Sequence, residues 1–316
     1  MESKKDEEEL KIPELKSSNG SKGNKKTEFE KNSQKKLGIE GRKVVLIDNP
    51  IKTEKMNDPD FKRKSTFGKR KSMARKSMLR KSVKFGNNIN IVSDTLTYGN
   101  GDRYVGELRL NIKEGSGVYY YTTGSRYEGQ WKNDLKEGKG IFYYNNGDKY
   151  EGDYKNDLMH GSGTFIFASG SRYNGEWKNG VKEGKGTYEF KGGSKYVGDF
   201  KNDNLDGRGV YFHKNGDRYE GDFRDDKRDG KGILYLKNGE RYEGDFRNGY
   251  YEGKGVFFYN NGSRYEGDYK NGKKEGKGIF YFNNGDREMG DYMNDSPIGT
   301  HIKYCTDGKV KKVFYQ

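Results

Sequence analysis

Only one cysteine, Cys305, and four prolines occur in 316 residues. A lone thiol builds no disulfide framework, so packing alone must hold the fold, and a reducing compartment is expected. The three histidines, His160, His213 and His301, stand far apart with no Cys or His at ligand spacing, which argues against a metal site. Apolar residues make up 29% of the chain, and the longest aliphatic run, 44–47, is far too short to span a bilayer. The opening MESKKDEEELK offers no apolar core for a secretory signal. Between 61 and 84 there is no acidic residue at all.

What the chain has instead is glycine and tyrosine, 47 and 26 residues, in a strict period of 23. The segment 265–287, YEGDYKNGKKEGKGIFYFNNGDR, returns from Tyr104, Tyr127, Tyr150, Tyr173, Tyr196, Tyr219 and Tyr242, and in worn form from Glu288. Such self-similarity marks units that bury a face only by stacking. Within a unit the pattern alternates: Tyr265, Gly267 and Tyr269 share one face, Glu266 and Asp268 the other. Tyr127, Gly129 and Trp131, Tyr150, Gly152 and Tyr154, and Tyr173, Gly175 and Trp177 repeat that arrangement and are read as the repeat core. Glycine inside a strand weakens it unless something must come close. The strand glycines are therefore read as seats for rings of the paired strand or the next unit. Asn-Gly runs such as 146–147 read as the turns.

The pattern Y-x-G-[DE]-[FWY]-K-[ND]-x-x-x-x-G-x-G-x-[FY] resembles the MORN repeat (membrane occupation and recognition nexus). The resemblance covers roughly 95–310, about eight good copies and a degraded one. It implies an all-β fold, an elongated single-domain array of stacked antiparallel hairpins. The boundaries that follow are a disordered tail over 1–85, an N-terminal cap over 86–103, eight repeats over 104–287, and a degenerate ninth repeat with C-terminal cap over 288–316. In the ninth unit Glu288 replaces Tyr, His301 replaces a strand glycine and Pro297 is placed in the loop; Val313, Phe314 and Tyr315 form an alternative docking surface.

Charge is unevenly spread. Residues 1–94 carry 25 basic and 14 acidic groups, net +11, against +3 for the remainder. Residues 1–60 read as a mixed polyampholyte, with 42–51 as a strand that docks on a sheet edge. Eleven cations lie within 61–84: Lys62, Arg63, Lys64, Lys69, Arg70, Lys71, Arg75, Lys76, Arg80, Lys81 and Lys84. An anionic surface suits them, either acidic phospholipid or acidic tubulin-like tails; nucleic acid is disfavoured, and a plain solvated or localisation signal is the alternative. Ser65, Ser72, Ser77 and Ser82 follow basic residues and are candidate phosphorylation sites; four phosphates would remove about six to eight charges.

Carboxylate pairs such as Glu151 with Asp153 and Glu220 with Asp222 recur in unit after unit, whereas an active site appears once. They read as ladder charges, paired with cations such as Arg218 and Arg241 one unit along. Gly184-Lys185-Gly186-Thr187 lacks the phosphate-loop spacing. The expectation is no catalytic residue, no cofactor and no metal. Proteins resembling this chain serve in radial-spoke heads of cilia and in the protist cytoskeleton, which implies a scaffold or adaptor with protein partners in a cytoskeletal or axonemal assembly, cytoplasmic and at the cytoskeleton or cilium. Two alternatives stay open. One is a peripheral membrane tether on anionic phospholipids, as in junctophilins and plant phosphatidylinositol-phosphate kinases, without their anchor or kinase domain. The other is the targeting subunit of an enzyme complex.

Overall fold

A computed structural model describes residues 91–315. Among them are twenty strands and no helix. β1 (Val92–Thr97) leads into nine hairpins of a seven-residue and a nine-residue strand. The first four are β2 (Arg103–Arg109) with β3 (Ile112–Tyr120), β4 (Arg126–Lys132) with β5 (Leu135–Tyr143), β6 (Lys149–Lys155) with β7 (Leu158–Ile166), and β8 (Arg172–Lys178) with β9 (Val181–Glu189). Then come β10 (Lys195–Lys201) with β11 (Asn204–Phe212), β12 (Arg218–Arg224) with β13 (Lys227–Tyr235), and β14 (Arg241–Arg247) with β15 (Tyr250–Phe258). The last are β16 (Arg264–Lys270) with β17 (Lys273–Tyr281), β18 (Arg287–Met293) with β19 (Ser296–Tyr304), and finally β20 (Val310–Tyr315). Each strand pairs antiparallel with the next in sequence, making one open sheet.

Two kinds of turn close it. At one end lie the five-residue loops expected from the sequence, such as 121–125. There Gly124 donates its N–H to the Tyr121 carbonyl at 2.9 Å with φ +89. At the other end lie two-residue turns that the sequence reading left unplaced. Asn133 and Asp134 have φ of 49° and 70°, both left-handed, which fits the right-handed twist of a tight hairpin. Asn-Gly does the same work at 179–180, 248–249 and 271–272.

Two glycine columns seat rings: over Gly140 the ring comes from the paired strand, as expected, but over Gly129 it comes from the same strand, not from the paired strand or the next unit. The Tyr127 ring lies over Gly129 of its own strand and Gly140 of the partner, where an added Cβ would come within 2.5 Å and 2.3 Å of its hydroxyl. That hydroxyl donates to the Gln130 carbonyl at 3.1 Å, and the bond recurs from Tyr104 to Tyr265. The column of Gly115 and Gly138 does something else. Gly138 has φ +72 and sits where the register slips between Gly129 and Trp131. It is a bulge glycine, and its Cβ would meet the Gln130 amide at 2.0 Å rather than a ring.

Units then lock together through rings and backbone. Trp131 stands edge-on to Tyr127 of its own unit at 5.1 Å and to Tyr104 of the preceding one at 5.5 Å. Tyr154 repeats this on Tyr150 and Tyr127, and Tyr269 on Tyr265 and Tyr242. Each such edge pair is worth about 0.5–1.5 kcal/mol beyond burial. At the two-residue turns, the Asp134 carboxylate accepts the Lys113 N–H at 2.9 Å while Asp134 N–H returns to the Lys113 carbonyl at 3.0 Å. At the loop end, Ser125 Oγ accepts the Asn145 N–H at 3.0 Å, and Asp148 does the same for Ala168.

The ninth hairpin is complete despite its altered sequence. Pro297 lies within β19, not in the loop where it was expected, at the strand's second residue. His301 fills the seat a tyrosine ring takes elsewhere: a Cβ on Gly290 would come within 2.0 Å of the imidazole.

Candidate functional site

With the rings turned to one face, the other presents three rows of side chains running across the strands. The first alternates cation and aromatic by direct pairing, Arg103 with Tyr120, Tyr120 with Arg126, Arg126 with Tyr143, and on to Arg287 with Tyr304, except that Ile166 and Glu189 stand in aromatic positions. Guanidinium groups lie over the rings, Arg126 on Tyr143 and Arg264 on Tyr281 both at 3.8 Å. The second row alternates acid and β-branched residue, as in Val210, Glu220, Ile233 and Glu243. The third alternates cation and acid. Its ion pairs join neighbouring strands, including Lys139–Asp153, Arg208–Asp222 and Lys277–Asp291.

These pairings correct one sequence expectation. Arg218 and Arg241 do not reach one unit along. They bind Glu220 and Glu243 two residues ahead on their own strands. Burial pushes the Asp153 carboxyl up, but the Lys139 ammonium and the Ser162 N–H outweigh it and hold Asp153 below the usual range. Such exposed pairs each contribute little to stability.

Between β9 and β14 this face holds a shallow open trough of about 1010 Å³. Thr187, Val197, Val210 and Ile233 line it together with Glu220 and Glu243, and Lys185, Arg208 and Lys231, each paired with an aspartate of the next strand, lie along one side. Charge cancellation in the first row fails at four places along the sheet. Five cations of the first row, Arg126, Lys149, Arg218, Arg241 and Arg264, are each held by a glutamate and are half-buried. Where that glutamate is Val105, Asn174, Val197 or Met289, the cations Arg103, Arg172, Lys195 and Arg287 are exposed.

The ring face carries a different oddity, a column of buried cations. Lys113, Lys136, Lys182 and Lys274 lie among rings, Lys113 Nζ being 4.8 Å from the Trp131 centroid. Burial pulls the Lys274 ammonium down to about 8 against the attraction of Asp295. Arg228 is fully enclosed; its Nη2 donates to the Gly249 carbonyl at 2.7 Å, while Nε and Nη1 have no partner. Burial, then Arg228, push the neighbouring His213 down to about 4.

A family model for the MORN repeat matches eight consecutive segments, 104–126, 127–149, 150–172, 173–195, 196–218, 219–241, 242–264 and 265–287. The chain belongs to the MORN repeat family. No curated protein matches it. Among solved structures, the MORN array is similar to the TCP10 domain of Danio rerio CPAP in complex with a STIL peptide, at 12% identity, TM-score 0.38, covering 71% of this chain and 100% of that one. It is also similar to the Drosophila melanogaster SAS-4 TCP domain in complex with a proline-rich motif of Ana2, at 13% identity, TM-score 0.26, covering 68% and 99%.

Of the residues singled out in the sequence, Tyr127, Tyr150, Tyr173, Tyr265, Trp131, Trp177, Tyr154 and Tyr269 are all buried on the ring face, and Gly129, Gly152, Gly175 and Gly267 seat rings there. Phe314 is exposed on β20, while Val313 and Tyr315 are half-buried. The eleven cations, the four serines and segment 42–51 lie outside the described residues. No cluster able to hold a metal occurs among the described residues. The trough and the cation–aromatic row were missed in the sequence. Their signal is Arg or Lys just before each first tyrosine and an aromatic residue 17 positions later, which become neighbours only once the two-residue turn fixes the register.

Proposed function

We propose that the MORN array is a non-catalytic docking rail for segments of partner proteins in a cytoskeletal or ciliary assembly of the radial-spoke kind. The MORN repeat is a binding repeat, and the same three outward rows return in unit after unit, as a rail requires and a single active site does not. The basic segment 61–84 then holds the chain on an acidic surface such as tubulin tails, and phosphorylation of its serines releases it. The test is affinity purification of the full chain and of Arg172→Glu/Lys195→Glu from ciliated cells, with identification of bound proteins. Axonemal or tubulin-associated partners that depend on the two cations support the reading; a partner set unchanged by the variant overturns it.

The eleven cations, with no acid among them, also favour a second reading, a peripheral tether on anionic phospholipid. Sedimentation with phosphatidylserine vesicles separates the two. Binding lost when residues 61–84 are neutralised supports the tether, and absence of binding at physiological salt removes it.

A further inference from the structure

The outward face departs from its regular pattern over one stretch beside the trough, and the departure has a chemistry. Around β8 to β12, Arg172, Lys191, Lys195 and Lys214 are all exposed, and Glu189 is the one acid set among them. Four cations against one carboxylate leave a local charge of +3. Beside them the second row is uncharged, running Asn174, Thr187, Val197, Val210, and Phe212 stands 40% exposed at its flank. An uncharged floor edged by free cations and an exposed ring suits a ligand that is acidic on one side and apolar on another.

The spacing narrows the ligand further. Equivalent outward positions recur every second strand, which is about 9.4–9.8 Å. A polyproline II helix repeats its face every three residues, about 9.3 Å. Over the two periods from β8 to β12 the two drift by no more than about 1 Å. A helical heptad repeats every ~10.5 Å and drifts about 1.5–2 Å over the same length. An extended strand repeats its face every ~6.7 Å and does not match at all. Polyproline II also makes no internal hydrogen bonds, so its carbonyls stay free to accept from lysine and arginine, and it is largely ordered before binding.

We infer that this stretch of the outward face, from β8 to β12 beside the trough, takes an acidic, proline-rich segment in polyproline II conformation, laid across the strands. Its prolines rest on Val197, Val210 and Phe212, and its carboxylates face Arg172 and Lys195. The inference names the ligand for the docking rail proposed above and rests on that reading.

The test uses the full chain and a labelled peptide of about five Pro-Pro-Glu triads, long enough to reach along more than four units. Three comparison peptides replace it in turn: Pro-Pro-Lys triads, Gly-Gly-Glu triads, and a helical peptide of equal acidity. The expected result is saturable binding of Pro-Pro-Glu, at least about tenfold tighter than Gly-Gly-Glu and the helix, with none by Pro-Pro-Lys. Arg172→Glu/Lys195→Glu should weaken it by about tenfold or more, and Phe212→Ala by about threefold or more, while Lys132→Glu leaves it unchanged. Equal binding of Pro-Pro-Glu and Gly-Gly-Glu, indifference to the double variant, or no binding of Pro-Pro-Glu would each overturn the inference. If cellular partners still depend on Arg172 and Lys195 but engage them through helical or proline-free segments, only the ligand assignment falls. If no partner depends on them, the rail falls with it.

Discussion

His301 and Glu288 meet at 3.0 Å through Nδ1 and a carboxylate oxygen, and together they rebuild what a tyrosine and a glycine supply in every earlier unit. The other imidazole nitrogen contacts the Asp291 carbonyl at 2.9 Å, the place the Tyr242 hydroxyl takes toward Asp245. Tyr315 donates to the same Glu288 oxygen at 2.6 Å and so ties the last strand to the substitution. The worn ninth copy is therefore a compensated exchange. Glu288→Tyr alone sends a ring onto the imidazole, and His301→Gly alone strips Glu288 of a partner. Each single change should lower the urea midpoint markedly, and the double change should recover much of the loss. A coupling of about 2 kcal/mol or more is expected; additive effects would show the pair to be independent.

Gly267→Val tests the ring seat. The new Cβ would lie 2.5 Å from the Tyr265 hydroxyl and 2.7 Å from the Lys277 carbonyl. Overpacking against backbone should cost about 3 kcal/mol or more. Thermal melts followed by far-UV circular dichroism should shift down by several degrees; a curve superimposable on the parent's would refute the seat.

His213 predicts a pH dependence. Its folded pKa, about 4, lies below the ordinary 6.5, so the neutral ring is what the fold tolerates. Stability from this group is complete above pH 6.5 and is lost as pH falls through 4, by up to about 3 kcal/mol. Phe167 and Phe190 occupy the equivalent position in earlier units. His213→Phe should accordingly flatten the urea-derived stability curve between pH 6.5 and 4.

Lys274 runs the other way along the pH axis. Its folded pKa, about 8, is depressed from 10.5, so the contribution is complete above 10.5 and shrinks as pH falls through 8. At pH 7 the buried ammonium costs stability that Tyr265 and Phe280 offset only in part. Met159 holds the same column position without charge. Lys274→Met should be neutral or stabilising by about 1–3 kcal/mol at pH 7, with the gain fading toward pH 9.5. Asp295→Ala, which removes the acceptor for the Lys274 N–H, should instead destabilise by about 1 kcal/mol. Chemical denaturation of both variants at pH 7 and 9.5 decides the matter.

The sequence carried the period, the aromatic face and the glycine seats, because alternation along a strand is local and a 23-residue repeat shows each rule eight times over. It did not carry the rows. Tyr143 and Arg126 are far apart in the chain and meet only through antiparallel register, which depends on a two-residue turn at Asn133 and Asp134. Gly138 could not be told from a seat glycine for a related reason: the two look alike until φ is known. The free cations at Arg172 and Lys195 follow from the loss of a glutamate two residues away, a small edit that matters only once both side chains point to the same side.

The links between units span short stretches of chain. Lys113 reaches Asp134, Ser125 reaches Asn145 and Glu114 reaches Asn133, separations of 21, 20 and 19 residues. A chain made this way need not wait for its far end. As synthesis proceeds, each hairpin leaving the ribosome meets a neighbour that is already folded and closes on it within one further unit. Among the described residues, Tyr315 on Glu288 is the link that closes after all the others.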